Sequence, residues 1–178
     1  MKFVSPEEAG AWAKGFVRPG SDSTFPDCEP KGSYALRVVF ENAPGHQHYW
    51  IARQLVQALN PDWNTCMFWV GLAGVWPSNE NLHLFYRLRK SYGEESHLVD
   101  RPALFALKHE VRGVESFVHL AVLYGWDGYL VTSEDYARVH VNHDGFAVVS
   151  SETESLVNEV AAAFRAARLK VEAYRPAV

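Results

Sequence analysis

The stretch YGWDGYLVTSEDYARVHVNHDGFAVVSS, residues 124–151, decides the fold of this chain. Gly125 is placed to end a helix, and Tyr129-Leu130-Val131 then has the composition of a strand. Polar and apolar residues alternate from Arg138 to Asn142, which is typical of a strand with one packed and one wet face. Asp144-Gly145 predicts a type I′ hairpin turn, whose two central residues both need positive φ. The stretch therefore predicts a meander of three antiparallel strands.

Helices are predicted on both sides of this meander along the chain. Ser5-Pro6-Glu7-Glu8 combines an N-cap residue, a proline and acids, and predicts a helix over residues 6–16. Amphipathic patterns predict further helices over residues 45–59, from a Ser78 cap to Gly93, and over residues 114–124. Ser151 and Glu154 have the spacing of a capping box, which predicts that the last helix begins beside Ser151.

Further strands complete the predicted architecture. Residues 34–40 alternate, residues 65–72 are apolar throughout and predict a strand buried on both faces, and residues 103–107 predict a short strand. Residues 18–32 predict a long loop, and the tail from Val171 is expected to be loosely held. We expect one α+β domain over residues 1–178. Its mixed or mainly antiparallel sheet has five or six strands, four or five helices pack on it, and the C-terminal meander is followed by a helix.

Composition restricts the class of partner and the compartment. The formal net charge of −4 argues against nucleic acid, because phosphate binding depends on clustered Lys and Arg. Cys28 and Cys66 form no CxxC pair, which excludes a disulfide framework and a cysteine zinc site. No apolar run is long enough to span a bilayer, and no apolar signal core begins the sequence. We therefore expect a cytoplasmic protein without membrane contact.

The histidines are the residues from which a metal site would be built. His46 and His48 lie two apart, and His140, His143 and Asp144 form a second group. A zinc or iron site needs three or four such ligands converging on one point, and residues two apart in a helix point to different faces. No G-x-S-x-G elbow or phosphate-binding loop occurs, and an apolar run makes Cys66 inert. We expect no cofactor and no catalytic site, with a histidine-based metal enzyme as the alternative.

Acidic and aromatic residues gather around the loops of the meander, where they predict a surface for a basic protein partner. Its members are Trp126, Asp127, Glu134, Asp135 and Tyr136. Loops held by a rigid sheet commonly carry binding residues, and aromatic residues are enriched at interfaces. Exposed acids would mainly accelerate capture of a basic partner.

The segments YGWDGYLV, residues 124–131, and VNHDGF, residues 141–146, resemble a feature of uncharacterised bacterial α+β proteins of the toxin-immunity type. The resemblance covers only the meander and its turn residues, so it carries over no functional residues. It implies a cytoplasmic, non-enzymatic binding protein that inhibits a toxin, with a basic toxin domain as its partner. A third alternative is a structural protein whose exposed aromatic residues form a homo-oligomer interface.

Overall fold

A computed structural model describes residues 1–13, 32–59, 62–71, 75 and 82–174. The described strands form one antiparallel sheet of eight strands in the order β1-β4-β3-β5-β6-β7-β2-β8. The strands are β1 Lys2–Val4, β2 Tyr34–Val39, β3 Thr65–Gly71, β4 Ala103–Leu107, β5 Asp127–Thr132, β6 Ala137–Asn142, β7 Phe146–Ser151 and β8 Lys170–Ala173. The described α-helices are α1 Pro6–Trp12, α2 Gly45–Gln57, α3 Leu82–Ser91, α4 Val111–Tyr124 and α5 Glu154–Ala166, with a 3₁₀ turn at Lys108–Glu110.

Side-chain alternation along the strands divides the core between the two faces of the sheet. On one face, Phe68 and Leu130 join a large cluster with buried residues of α2, α3, α4 and α5. On the other face, Met67 and Trp69 pack with Ala9 of α1. The central strand β3 is thus buried on both sides, which confirms the prediction made from its unbroken apolar run.

The meander is confirmed, with strands β5, β6 and β7 adjacent in that order. The type I′ prediction for its second turn is wrong, because of the two central residues only Gly145 has positive φ, at 76°. Asn142 pairs with Phe146, and the backbone N–H of Gly145 donates to the carbonyl of Asn142 at 3.1 Å. This is a three-residue loop, a type I turn closed by a left-handed glycine. Gly145 also approaches Glu41 so closely that an added Cβ would lie 2.5 Å from the Glu41 Cβ.

Several predicted helix ends are confirmed. Ser5 caps α1 in a capping box with Glu8, and Gly125 ends α4 in the left-handed conformation at φ 63°. The capping box predicted for Ser151 and Glu154 is wrong, since the N-cap is Thr153 and no side chain caps the helix. Ser151 is instead the last residue of β7. Its hydroxyl donates to the Tyr136 carbonyl and accepts from the backbone N–H of Thr153.

The predicted number of strands was too low, because the two edge strands were missed. β1 has three residues, too few to show alternation. The tail expected to be loose instead forms β8, whose residues pair antiparallel with β2. The first helix is shorter than the predicted residues 6–16, because α1 ends at Trp12 with Ala13 as its C-cap. The predicted loop over residues 18–32, apart from Gly32, and the Ser78 cap lie outside the described residues.

Among the described residues, no helix is both long enough and apolar enough to cross a membrane. Cys66 is buried in β3 and has no disulfide partner, and burial raises the pKa of its thiol. That environment agrees with the expected inertness of this thiol.

Candidate functional site

The five residues of the predicted acidic and aromatic surface do not share one exposed face. Trp126 and Asp127 are fully buried, Glu134 and Asp135 are partly buried, and Tyr136 is 48% exposed. The surface is therefore reduced to the turn between β5 and β6, and Trp126 and Asp127 are removed from it.

Trp126 is a core residue because the end of α4 turns the chain inward. The backbone N–H of Trp126 donates to the carbonyl of Ala121 at 2.9 Å, so the chain folds back against the helix. The indole then packs edge-on against Phe85 at 5.1 Å between ring centroids, and lies 5.6 Å from Tyr124. Its position beside a loop in sequence had suggested exposure, but the loop enters the sheet at once.

Asp127 is a buried carboxylate held by two histidines. Its Oδ2 lies 2.7 Å from Nδ1 of His143, its Oδ1 accepts the His143 backbone N–H at 3.1 Å, and Oδ1 lies 3.6 Å from Nε2 of His140. Burial acts to raise the pKa of Asp127, but the hydrogen bonds from the two histidines and the charge of His143 outweigh it and hold the pKa below its ordinary value. The His140 ring is also fixed, stacked on Tyr129 at 4.3 Å between centroids.

A buried carboxylate that orients a half-exposed imidazole is one part of a catalytic triad. The hydrogen bonds of the described residues place neither a serine nor a cysteine side chain beside His143. In the described part of the chain, the hydrogen bonds between Asp127 and His143 link the first residue of β5 to the β6–β7 turn.

The residues of the alternative metal site are not gathered by the fold. His46 and His48 lie in α2, where Nε2 of His48 is 3.1 Å from the Ala43 carbonyl oxygen, whereas His140 and His143 lie in β6 and its turn. Within the described ranges, no group of three or more His, Cys, Asp or Glu side chains is placed to hold a metal ion. Asp144 contacts His143 with 3.5 Å between Oδ1 and Nε2, but it is otherwise exposed.

The two acids of the β5–β6 turn are engaged within the protein. Glu134 accepts from the backbone and side-chain nitrogens of Asn64 at 3.1 and 2.7 Å, and from the Ser133 hydroxyl at 2.7 Å. Burial acts to raise the pKa of Glu134, but these hydrogen bonds outweigh it and lower the pKa. Asp135 forms two parallel hydrogen bonds with Arg138, at 2.9 and 3.0 Å. Both carboxylates therefore stabilise the turn, and Asp135 is also ion-paired with Arg138, whereas the hydrogen-bond donors to Glu134 are neutral.

Tyr136 remains exposed at the rim of a groove between α2 and α5. The groove has a volume of about 410 Å³. Its apolar wall includes Ala58 from the end of α2 and Leu156 and Val160 from α5. Glu159 carries the one charge among the described lining residues. We call this site the Tyr136 groove.

The lining of the Tyr136 groove was missed at the level of sequence, apart from Tyr136. Leu156 and Val160 belong to the apolar stripe of α5, a pattern typical of core residues, yet both are only partly buried. The signal in the sequence is an apolar stripe on α5 that is wider than the surface it packs on. The outer edge of such a stripe is left uncovered and can line a groove.

Searches of known protein families, of curated proteins and of solved structures found no match to this chain.

Proposed function

We propose that this protein is a non-enzymatic binding protein that holds a basic, amphipathic segment of a partner protein in the Tyr136 groove. The observation that carries the proposal is Tyr136 itself, a half-exposed aromatic side chain on a rigid turn beside an open groove. Rigid aromatic anchors supply a large share of binding energy at protein interfaces.

The turn is ordered before any partner arrives, which lowers the entropy cost of binding. The Tyr136 carbonyl accepts a hydrogen bond from Ser151 at 2.7 Å, and the Asp135–Arg138 pair closes the turn on the other side. A preorganised contact surface loses less conformational freedom on association than a flexible one. The acids of the turn thus serve binding by positioning Tyr136.

The chemistry of the groove indicates the kind of segment it would accept. Leu156 and Val160 offer apolar contact, Gln54 and Gln57 offer hydrogen bonds, and Glu159 offers a negative charge. A segment with apolar side chains on one side and a Lys or Arg on the other is complementary to this lining. The net charge of −4 on the whole chain likewise favours a positively charged partner.

The resemblance of the meander to toxin-immunity proteins supports the further proposal that the partner is a bacterial toxin domain and that binding inhibits it. Inhibition needs no catalytic group on this chain, only an affinity sufficient to cover the partner.

The test is selection of binding peptides from a random peptide library displayed on phage. We expect peptides enriched in apolar residues and in Lys or Arg, and expect Tyr136→Ala to weaken their binding at least tenfold, as removal of an interface anchor does. Tyr34→Ala is the matched control, because Tyr34 is 40% exposed but lies at the start of β2 and does not line the groove. Selected peptides that are neutral or acidic, or that bind the Tyr136 variant as tightly as the original protein, would refute the proposal.

A further inference from the structure

A second cavity lies between α2 and α4, close to the end of β4, and it differs in character from the Tyr136 groove. Its volume is about 490 Å³, within the range of small-molecule sites. Val56, Trp63 and Val111 give it an apolar wall, and Trp63 and Val56 are themselves buried. Cationic side chains stand around that wall, from α2, α4 and the 3₁₀ turn.

The cations meet a buried carboxylate inside the cavity. Glu115 on α4 is 3% exposed, and its Oε2 accepts from the Tyr49 hydroxyl at 3.0 Å and from Nη1 of Arg112 at 2.9 Å. Nε of Arg53 lies 4.0 Å from the other oxygen. Glu115 therefore binds Arg112 directly and lies at ion-pair distance from Arg53, and the side chains of Arg53 and Arg112 are 44% and 67% exposed.

The charges of the cavity do not cancel. Lys108 is paired with Asp62 at 3.2 Å, while Arg53 and Arg112 share the single charge of Glu115. One positive charge is therefore in excess. It is shared by the guanidinium groups of Arg53 and Arg112, which have further N–H donors that Glu115 does not bind. Because both arginines are partly exposed, these donors are accessible to a ligand, and guanidinium groups bind carboxylates through paired hydrogen bonds.

We infer that this cavity binds a small amphiphilic monocarboxylate, with its carboxylate between Arg53 and Arg112 and its apolar body against Trp63, Val56 and Val111. One excess positive charge matches one carboxylate. A doubly charged phosphate exceeds the one excess positive charge and has no apolar body to cover Val56 and Val111. An uncharged apolar molecule would form no ion pair with the two guanidinium groups.

The inference goes beyond the proposed capture of a protein segment, because it concerns a different ligand class in a different cavity. Among the described lining residues, Gln57 is the one that the two sites share. Tyr136 lines only the groove, so Tyr136→Ala is expected to leave binding in the cavity unchanged.

The probes are 1-naphthylacetate and its uncharged amide, 1-naphthylacetamide, titrated by isothermal calorimetry into the full chain. We expect the carboxylate to bind at least tenfold more tightly than the amide, since charge-assisted hydrogen bonds are roughly twice as strong as neutral ones. Arg53→Gln is expected to weaken carboxylate binding about tenfold, by removing one charge-assisted contact. It should leave the amide nearly unaffected, which a general disturbance of the fold would not.

Two further variants make the result decisive. Val111→Trp fills the apolar part of the cavity and is expected to abolish binding of both probes. Arg165→Gln changes an exposed arginine of α5 away from the cavity and is expected to change neither. Thermal melting of each variant shows that the chain is folded. Absence of carboxylate binding at millimolar concentration, equal affinity for the two probes, or an Arg53→Gln variant with unchanged affinity would each overturn the inference.

Discussion

Replacing Asp127 tests whether the buried carboxylate holds the meander together. Asp127→Ala removes the acceptor for the His143 backbone N–H and for the His143 ring, and takes away the charge facing His140. Hydrogen bonds to a charged group contribute about 1.5–3 kcal/mol each, and the half-exposed His143 ring recovers part of its loss from water. We expect the free energy of unfolding to fall by about 3 kcal/mol.

Asp127→Asn removes the negative charge of the side chain but keeps its size and shape. Its amide oxygen still accepts the His143 backbone N–H, and its NH₂ group donates to the His143 ring once the imidazole changes tautomer. We expect a loss of about 1 kcal/mol, the charge-dependent part alone. Both losses are measured by urea unfolding at pH 7, followed through tryptophan fluorescence and circular dichroism.

The pH dependence gives an independent check on the same carboxylate. Because the pKa of Asp127 is lowered in the folded protein, its charge stabilises the fold above the unfolded pKa of about 4, and that stabilisation is lost as the pH falls through the lowered pKa. The difference in stability between the original protein and Asp127→Asn is expected to shrink as the pH falls below about 4.

The control is Asp144→Asn, which alters a mostly exposed carboxylate near the same histidine and is expected to change stability by less than about 0.5 kcal/mol. An Asp127→Ala variant as stable as this control would refute the argument that the buried carboxylate ties the turn to β5. So would a stability difference between Asp127→Asn and the original protein that grows as the pH falls below about 4.

Two further substitutions test close packing and a buried cation. Gly145→Ala is expected to lower the free energy of unfolding by about 3 kcal/mol, because the new Cβ meets Glu41 and φ is positive. Gly93→Ala, where φ is 81° but no atom lies within 4 Å, should cost only the backbone strain of about 1 kcal/mol, and equal losses in thermal melting would contradict the packing argument. Arg89→Met is expected to cost about 3 kcal/mol and to expose residues 93–102 to protease. The buried guanidinium donates to the carbonyls of residues 96 and 101 at 3.2 and 3.0 Å, and an unchanged cleavage rate in that loop would count against this role.

Local patterns in the sequence were sufficient for the elements whose residues make their contacts nearby in the chain. The meander, the Ser5 cap and the Gly125 helix end are all set by neighbours within a few residues, and all are confirmed. The predicted capping box at Ser151 does not form because the Ser151 backbone is paired in the sheet with Ala137, and its hydroxyl is hydrogen-bonded to the Tyr136 carbonyl. Long-range pairing overrode a local preference of about 1 kcal/mol.

The candidate site was harder to predict because exposure is a property of the folded whole. Glu134 appeared to be a free surface acid, but its partner Asn64 comes from the loop before β3, and no spacing rule links the two. Similarly, the cavity between α2 and α4 depends on Arg53 and Glu115 meeting across two helices. Charges on the polar faces of separate helices can be recognised in the sequence, but the approach of those faces cannot.

The position of β2 in the sheet has a consequence for how the chain folds while it is being synthesised. β2 comes early in the sequence, yet both of its neighbours, β7 and β8, lie in the last third of the chain. Leu36 and Val38 therefore leave the ribosome long before any strand can pair with them, whereas β3, β4 and β5 can pair with one another earlier. Closing so long a loop is slow, and an unpaired apolar strand can associate with other chains. We expect the yield of folded protein to depend on chaperones that shield this strand until translation is nearly complete.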